Sequence, residues 1–200
     1  MNENGTDTSR RRFLTTAATF VGGIGAVATA VPFISTMTPS AKAKAIGAPI
    51  EAEIGDLKPG ERKIEKWQGK PVWILRRKED QLARLPELND EVRDPDSEVD
   101  QQPDYARNVH RSIKPEYLIV IGLCTHLGCS PTFVPKDDAQ AHGLPADWKG
   151  GFFCPCHGSR FDLAGRVFKD VPAPTNLIVP PHQYLSESQV LIGDDSGIKS

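Results

Sequence analysis

The chain has no cysteine outside two short boxes, Cys124-Thr125-His126-Leu127-Gly128-Cys129 and Cys154-Pro155-Cys156-His157-Gly158-Ser159. Whatever thiol chemistry the protein performs is confined to them. It also has no basic excess: 24 Lys and Arg stand against 26 Asp and Glu, for a formal net charge of −2, and no patterned basic stripe is present. That excludes recognition of nucleic acid through its phosphates. Repeats and low-complexity tracts are absent, which excludes a repeat architecture. Finally, there is no charged residue between Phe13 and Met37.

As a helix, that uncharged stretch would run about 37 Å, enough to cross a hydrocarbon core of about 30 Å. A transmembrane helix over 13–37 is therefore expected. Pro32 falls near its far end, where a kink costs least, and Gly22, Gly23 and Gly25 offer a surface for close packing. Ahead of it, Ser9-Arg10-Arg11-Arg12-Phe13-Leu14 resembles the twin-arginine export signal, with Thr15 where that pattern often has Lys. The basic residues put the N-terminus (1–12) in the cytoplasm and the C-terminal domain outside. The expected location is thus the inner membrane, single-pass, with the domain in the periplasm. Residues 1–9 are polar and expected to be disordered. A cleaved signal peptide is the alternative, since Ala41-Lys42-Ala43 has the small-x-small form, but the apolar stretch is longer than the usual signal core. Residues 38–49 (TPSAKAKAIGAP) are small, polar and bracketed by prolines, and read as a flexible hinge or tether that could reach about 40 Å.

Residues 50–200 read as one domain, all-β and antiparallel. Alternation in Ala52–Ile54, Arg62–Trp67 and Pro71–Arg76, punctuated by Lys58-Pro59-Gly60 and Gln68-Gly69, predicts a meander. Tyr117–Leu123 (YLIVIGL) is unbroken apolar sequence and predicts a buried strand delivering Cys124 to its loop. Gly151–Phe153 does the same for Cys154, and Ser159–Asp162, Leu177–Val179, Tyr184–Leu185 and Gln189–Ile192 continue the rhythm. Leu82, Leu85 and Leu88 predict one short amphipathic helix over Glu79–Leu88, ended early by Pro86. Glu87–Asp104, with eight acids and one Arg, reads as a solvated loop, and Pro135–Gly150 as another. His110, His142 and His182 lie beside no cysteine and are expected to be ordinary surface or polar residues.

Each box offers one Cys and one His as metal ligands: Cys124 with His126, and Cys154 with His157. Two Cys and two His could form a four-ligand site, leaving Cys129 and Cys156 for a disulfide, which would imply an oxidising compartment. A zinc site built from all four cysteines is disfavoured, because zinc knuckles space their cysteines by two to four residues and Cys154-Pro155-Cys156 leaves a gap of one. Another structural zinc site, or four unrelated cysteines, is the plainer reading; ligand count, spacing and the leftover pair weigh against it.

The two boxes resemble those of the Rieske iron–sulfur subunits of ubiquinol:cytochrome c oxidoreductases (cytochrome bc complexes), specifically over both boxes and in outline over the whole chain. The resemblance implies one Rieske-type 2Fe–2S cluster per subunit, with Cys124, His126, Cys154 and His157 as ligands and the two His on one iron. It implies a Cys129–Cys156 disulfide and a cluster-binding subdomain at about 120–175. Leu127 would sit where quinone docks, and Pro172-Ala173-Pro174 would be the proline loop on the other side, preceded here by Val171 where Gly is common. Of two hydroxyls that tune the potential, the chain keeps Ser159 but has Phe161 in place of Tyr. With two thiolates rather than four, the oxidised cluster is neutral and takes up an electron readily, and His126 and His157 gain proton affinity as it arrives. The implied function is proton-coupled transfer of an electron from ubiquinol to a c-type cytochrome, contributing to the proton gradient. The partners would be cytochrome b and c-type cytochrome subunits in a dimeric complex. The twin-arginine route would carry the folded domain with its cluster inserted. The alternative is the small Rieske subunit of a periplasmic oxidase such as arsenite oxidase; a ferredoxin for a ring-hydroxylating oxygenase is weakened by the extra cysteine pair and the export signal.

Overall fold

The computed structural model describes residues 7–198, so most of the polar N-terminus expected to be disordered lies outside it, although Thr8 and Ser9 are helical. The chain divides into two compact units, Met1–Ala45 and Ile46–Ser200. In the first, α1 runs from Thr8 to Thr36 and buries no residue within the chain. Asp7 caps it by accepting from the amides of Ser9 and Arg10, each at 3.2 Å, which satisfies donors that the first helical turn leaves free. Within the helix Thr15, Thr19 and Thr29 donate back to carbonyls of the preceding turn, so their hydroxyls are internally bonded. With Phe20, Val21, Ile24 and Val27 all outward, α1 is an apolar cylinder long enough to cross a membrane. The stretch read as a tether contains a short helix, α2 (Ala41–Gly47): the Ala and Lys residues are strong helix formers, and the Ser40 hydroxyl accepts from the Ala43 amide at 3.1 Å.

The second unit holds three antiparallel sheets of three strands. β1 (Ile50–Glu53), β8 (His182–Tyr184) and β9 (Gln189–Ile192) form one, in the order β1-β9-β8. β2 (Arg62–Trp67), β3 (Lys70–Arg76) and β4 (Tyr117–Ile121) form the second, and β5 (Thr132–Val134), β6 (Gly151–Phe153) and β7 (Arg160–Phe161) the third. The middle sheet is a shared wall. Val72, Ile74, Ile119 and Ile121 pack with Ala52, Val190 and Ile192 of the first sheet and with Ile54 just beyond β1. Trp73, Leu75, Leu118 and Val120 point the other way, into the larger core with Val134, Phe152 and Phe161 of the third. Side chains alternate between sheet faces, so a strand buried on both must be apolar throughout, and β4 is therefore unbroken YLIVI.

The predicted amphipathic helix is α3 (Glu79–Arg84) followed by a 3-10 turn at Pro86–Leu88. Leu177–Val179 forms no strand, although the Ile121 amide reaches the Ile178 carbonyl at 2.8 Å. Two readings require correction. Glu87–Asp104 is not simply a solvated loop: Leu88, Val92, Ser97 and Gln102 are buried in it, and Val92 bridges Phe168. His182 is fully buried rather than at the surface, held by reciprocal hydrogen bonds between its backbone and the Tyr105 hydroxyl.

Candidate metal centre

β4 ends at Ile121, and the next residue is Gly122 because the Trp73 indole leaves no room there for a Cβ. From it the chain turns into the first box. The second box is the loop of the β6–β7 hairpin, and the two loops share one backbone design. In the first, the Cys124 amide donates to the Cys129 carbonyl (2.7 Å) and the Gly128 amide to the Cys124 carbonyl (2.9 Å). In the second, the Cys154 amide donates to the Ser159 carbonyl (2.8 Å) and the Gly158 amide to the Cys154 carbonyl (2.9 Å). Gly128 and Gly158 take the same left-handed conformation, φ 81° and 77°, which glycine adopts without steric cost. Matched in this way, Cys124 corresponds to Cys154, His126 to Cys156, Leu127 to His157 and Cys129 to Ser159. One frame thus carries His at its third position in one loop and at its fourth in the other, which is why the Cys-to-His spacing differs between the boxes.

Cys124 and Cys154 are free and buried. Burial pushes the Cys154 thiol pKa up, the neighbouring Cys124 adds to the rise, and the Cys156 and His157 amides oppose it. The His126 and His157 rings lie edge to face with centroids 4.8 Å apart. The Nδ1 of His126 is buried without a hydrogen-bond partner, a state that costs about 1–3 kcal/mol unless something outside the protein satisfies it. Cys129 and Cys156 are joined in a disulfide with Cα atoms 6.7 Å apart. The sulfurs of Cys129, Cys154 and Cys156 all lie within 4.8 Å of one another, but two of the three are in the disulfide and have no thiolate to offer a metal. The usable donors are two thiols and the imidazoles, the set that a His-substituted 2Fe–2S centre requires and one that a four-cysteine zinc site would not match.

The remaining predicted residues surround this centre in different ways. Leu127 projects from its loop, 71 % exposed. Ser159 and Phe161 are fully buried, with the half-buried Arg160 between them. Pro172 and Pro174 are exposed with Ala173 buried between them. Ser159 Oγ accepts from the Ala173 amide at 3.0 Å, and Thr125 Oγ1 donates to the Thr175 carbonyl at 2.6 Å, so the proline segment is bonded to both boxes. Val171 causes no strain before the prolines, because the left-handed residue of that turn is Asp170, φ 57°. Sequence reasoning missed Arg93, which donates to the Val171 carbonyl at 3.2 Å, and Asn176, which is fully buried beyond the second proline. No local pattern marks either, since their partners are far away in the chain.

Two family models match the chain: the Rieske [2Fe-2S] domain over residues 49–182 and the TAT signal of the ubiquitinol-cytochrome C reductase Fe-S subunit over residues 1–40. The ubiquinol-cytochrome c reductase iron-sulfur subunit of Allochromatium vinosum is 56 % identical over 98 % of this chain and 94 % of that protein. Subunits of the same name are 40 % identical in Blastochloris viridis (94 % of each chain) and 41 % identical in Bradyrhizobium diazoefficiens (92 % of this chain and 94 % of that one). A Rieske domain over most of the chain, an export signal of the matching kind and relatives aligned nearly end to end agree with the thiol and imidazole donors at the loop tips: the chain belongs to the Rieske 2Fe–2S family, among the iron–sulfur subunits of ubiquinol–cytochrome c reductase.

Proposed function

We propose that the protein takes electrons from ubiquinol and passes them to a c-type cytochrome, with Cys124 and Cys154 on one iron and His126 and His157 on the other iron of a single Rieske 2Fe–2S cluster. When bound, that cluster supplies a one-electron acceptor whose potential is raised by having two neutral imidazoles in place of thiolates. The observation that carries the reading is the His126 Nδ1, buried and unsatisfied two residues after the free, buried Cys124. With that nitrogen turned inward, the outer nitrogen is left to meet a quinol hydroxyl and hold its proton. Leu127 offers apolar contact to a quinone ring, the Cys129–Cys156 disulfide limits opening of the loops, and Pro172 and Pro174 close the opposite side. Burial of Cys124 and Cys154 keeps water from the sulfurs.

The anchor fits the same reading. Residues 13–37 span the inner membrane with the N-terminus in the cytoplasm, 38–49 act as the hinge, and 50–200 stand in the periplasm, where the domain meets cytochrome b and a c-type cytochrome in a dimeric complex that contributes to the proton gradient. Extraction of membranes in mild detergent tests this: full-length chain should co-purify with b- and c-type haem, whereas a chain starting near Lys44 and soluble in the periplasm would overturn it. Iron and sulfide assays test the ligands, since Cys124→Ala, His126→Ala, Cys154→Ala or His157→Ala should each lose the cluster while the helix still inserts.

A further inference from the structure

Asn176 follows the proline segment, and its side chain is fully buried. Its Oδ1 accepts from the Val167 amide at 2.9 Å and its Nδ2 donates to the Asp94 carbonyl at 3.0 Å. Since a backbone amide can only donate and a carbonyl only accept, these partners fix which end of the carboxamide is which. The neighbouring segment is held from two sides as well: Arg93 donates to the Val171 carbonyl, and the Leu177 amide donates to the Gly165 carbonyl at 2.8 Å. Between these fixed points lies Ala173, whose amide donates to Ser159 Oγ. A hydroxyl has one proton and two lone pairs. With a lone pair engaged by Ala173, the Ser159 proton is directed away from that amide and is free to donate on the side of the second box.

We propose that Asn176 is a positioning residue for the redox centre: by clamping the proline segment to the Asp94 carbonyl it holds the Ala173 amide on Ser159, and so aims the Ser159 hydroxyl at cluster sulfur. The proposal rests on the cluster assignment above and makes the acidic segment part of the site's support. Asn176→Asp keeps the acceptor for Val167 and loses the donor to Asp94. In the purified full-length holoprotein it should lower the midpoint potential in the same direction as Ser159→Ala, by less, with iron content unchanged. The Asn176→Asp/Ser159→Ala double variant should fall no further than Ser159→Ala alone, because both act through one hydroxyl. Hydrogen exchange at the Ala173 amide should quicken at least tenfold in Asn176→Asp, a readout that does not depend on the cluster. An unchanged potential in Asn176→Asp, additive shifts in the double variant, or no shift in Ser159→Ala would each overturn the clamp while leaving the cluster assignment standing. A wild-type protein without iron and sulfide would overturn the assignment itself.

Discussion

Asp162 and Arg166 form an ion pair at 2.7 Å in which neither side chain is exposed at all. Among the described residues the fully buried charged side chains are three arginines, Arg77, Arg111 and Arg166, and this single carboxylate. Burial depresses the pKa of Arg77 to about 9 and that of Arg111 to about 10, and for both Asp162 is the largest opposing influence. The arginines are staples: Arg111 bonds Ser97, Gln102 and the carbonyls of Ala164, Gly165 and Leu177, and Arg166 reaches Asn89 and the Leu85 carbonyl.

Removing the one anion should therefore cost more than exchanging one of the cations for another. Asp162→Asn leaves three buried guanidiniums without a buried counter-charge and is expected to destabilise the domain by about 3–5 kcal/mol, the scale for breaking a buried pair. Arg111→Lys should cost less, since it keeps a buried cation and donor while the carboxylate keeps Arg166. Denaturant unfolding of both variants in detergent checks the order, and Asp162→Asn proving the milder of the two would contradict it.

The two boxes were legible in the sequence as a candidate site, and the reason is local. The boxes hold their candidate donors a few positions apart, so spacing alone displays them, and β4 was visible because it is buried and apolar throughout. What escaped was held together across long separations. The acidic segment looks like solvent-exposed sequence, yet the Arg93 amide bonds the Val167 carbonyl and the Val179 amide bonds the Gln101 carbonyl, contacts between backbones that no side-chain pattern reports. β5 has three residues, too few for a period to register, and unlike the equally short β6 it leads into no cysteine box. The buried arginines look like any surface cation until their carbonyl partners are known, and His182 hides because its ring nitrogen bonds Pro180 only two residues away.

The disulfide should matter more to retention of the centre than to the fold around it. Cys129 and Cys156 are 27 residues apart, and closing a loop of that size is worth about 3.5 kcal/mol on a chain-entropy account. The Cys129→Ser/Cys156→Ser double variant is expected to assemble cluster in part and to lose it readily on warming. Visible absorbance against temperature measures this, and wild-type retention would mean that packing alone holds the loops.

His182 gives the domain an acid-sensitive contact remote from the ligands in sequence. Its Nδ1 lies 2.8 Å from the Pro180 carbonyl, so that nitrogen carries the proton, and its Nε2 is buried without a partner. Burial pushes the imidazole pKa below its ordinary value of 6.5, against the raising effect of the Pro180 carbonyl and of Asp195. The unfolded chain then binds more protons than the native one below about pH 6.5, so stability falls as pH drops and is flat above. Between pH 7.5 and 5 the loss attributable to this residue is at most about 2 kcal/mol. His182→Gln should remove that part of the pH dependence, and unfolding curves with the same slope in both proteins would show that the ring does not titrate in this window.

Phe161 sets the last expectation, which concerns the potential of the centre. Its ring is fully buried, opposite Phe152 in the β6–β7 ladder, two residues after Ser159. A tyrosine there could add a second hydroxyl donor toward sulfur, and donors of this kind favour the more negative, reduced state and raise the potential. A hydrogen bond to a charged acceptor is worth about 1.5–3 kcal/mol, and only its difference between redox states counts, so the expected rise for Phe161→Tyr is some tens of millivolts. Stability separates the outcomes. A hydroxyl that reaches sulfur is satisfied and should leave unfolding nearly unchanged, whereas one that does not is buried unpaired and costs about 1–3 kcal/mol. A redox titration showing no rise, together with a destabilised protein of intact cluster content, would place the phenol oxygen out of reach of sulfur.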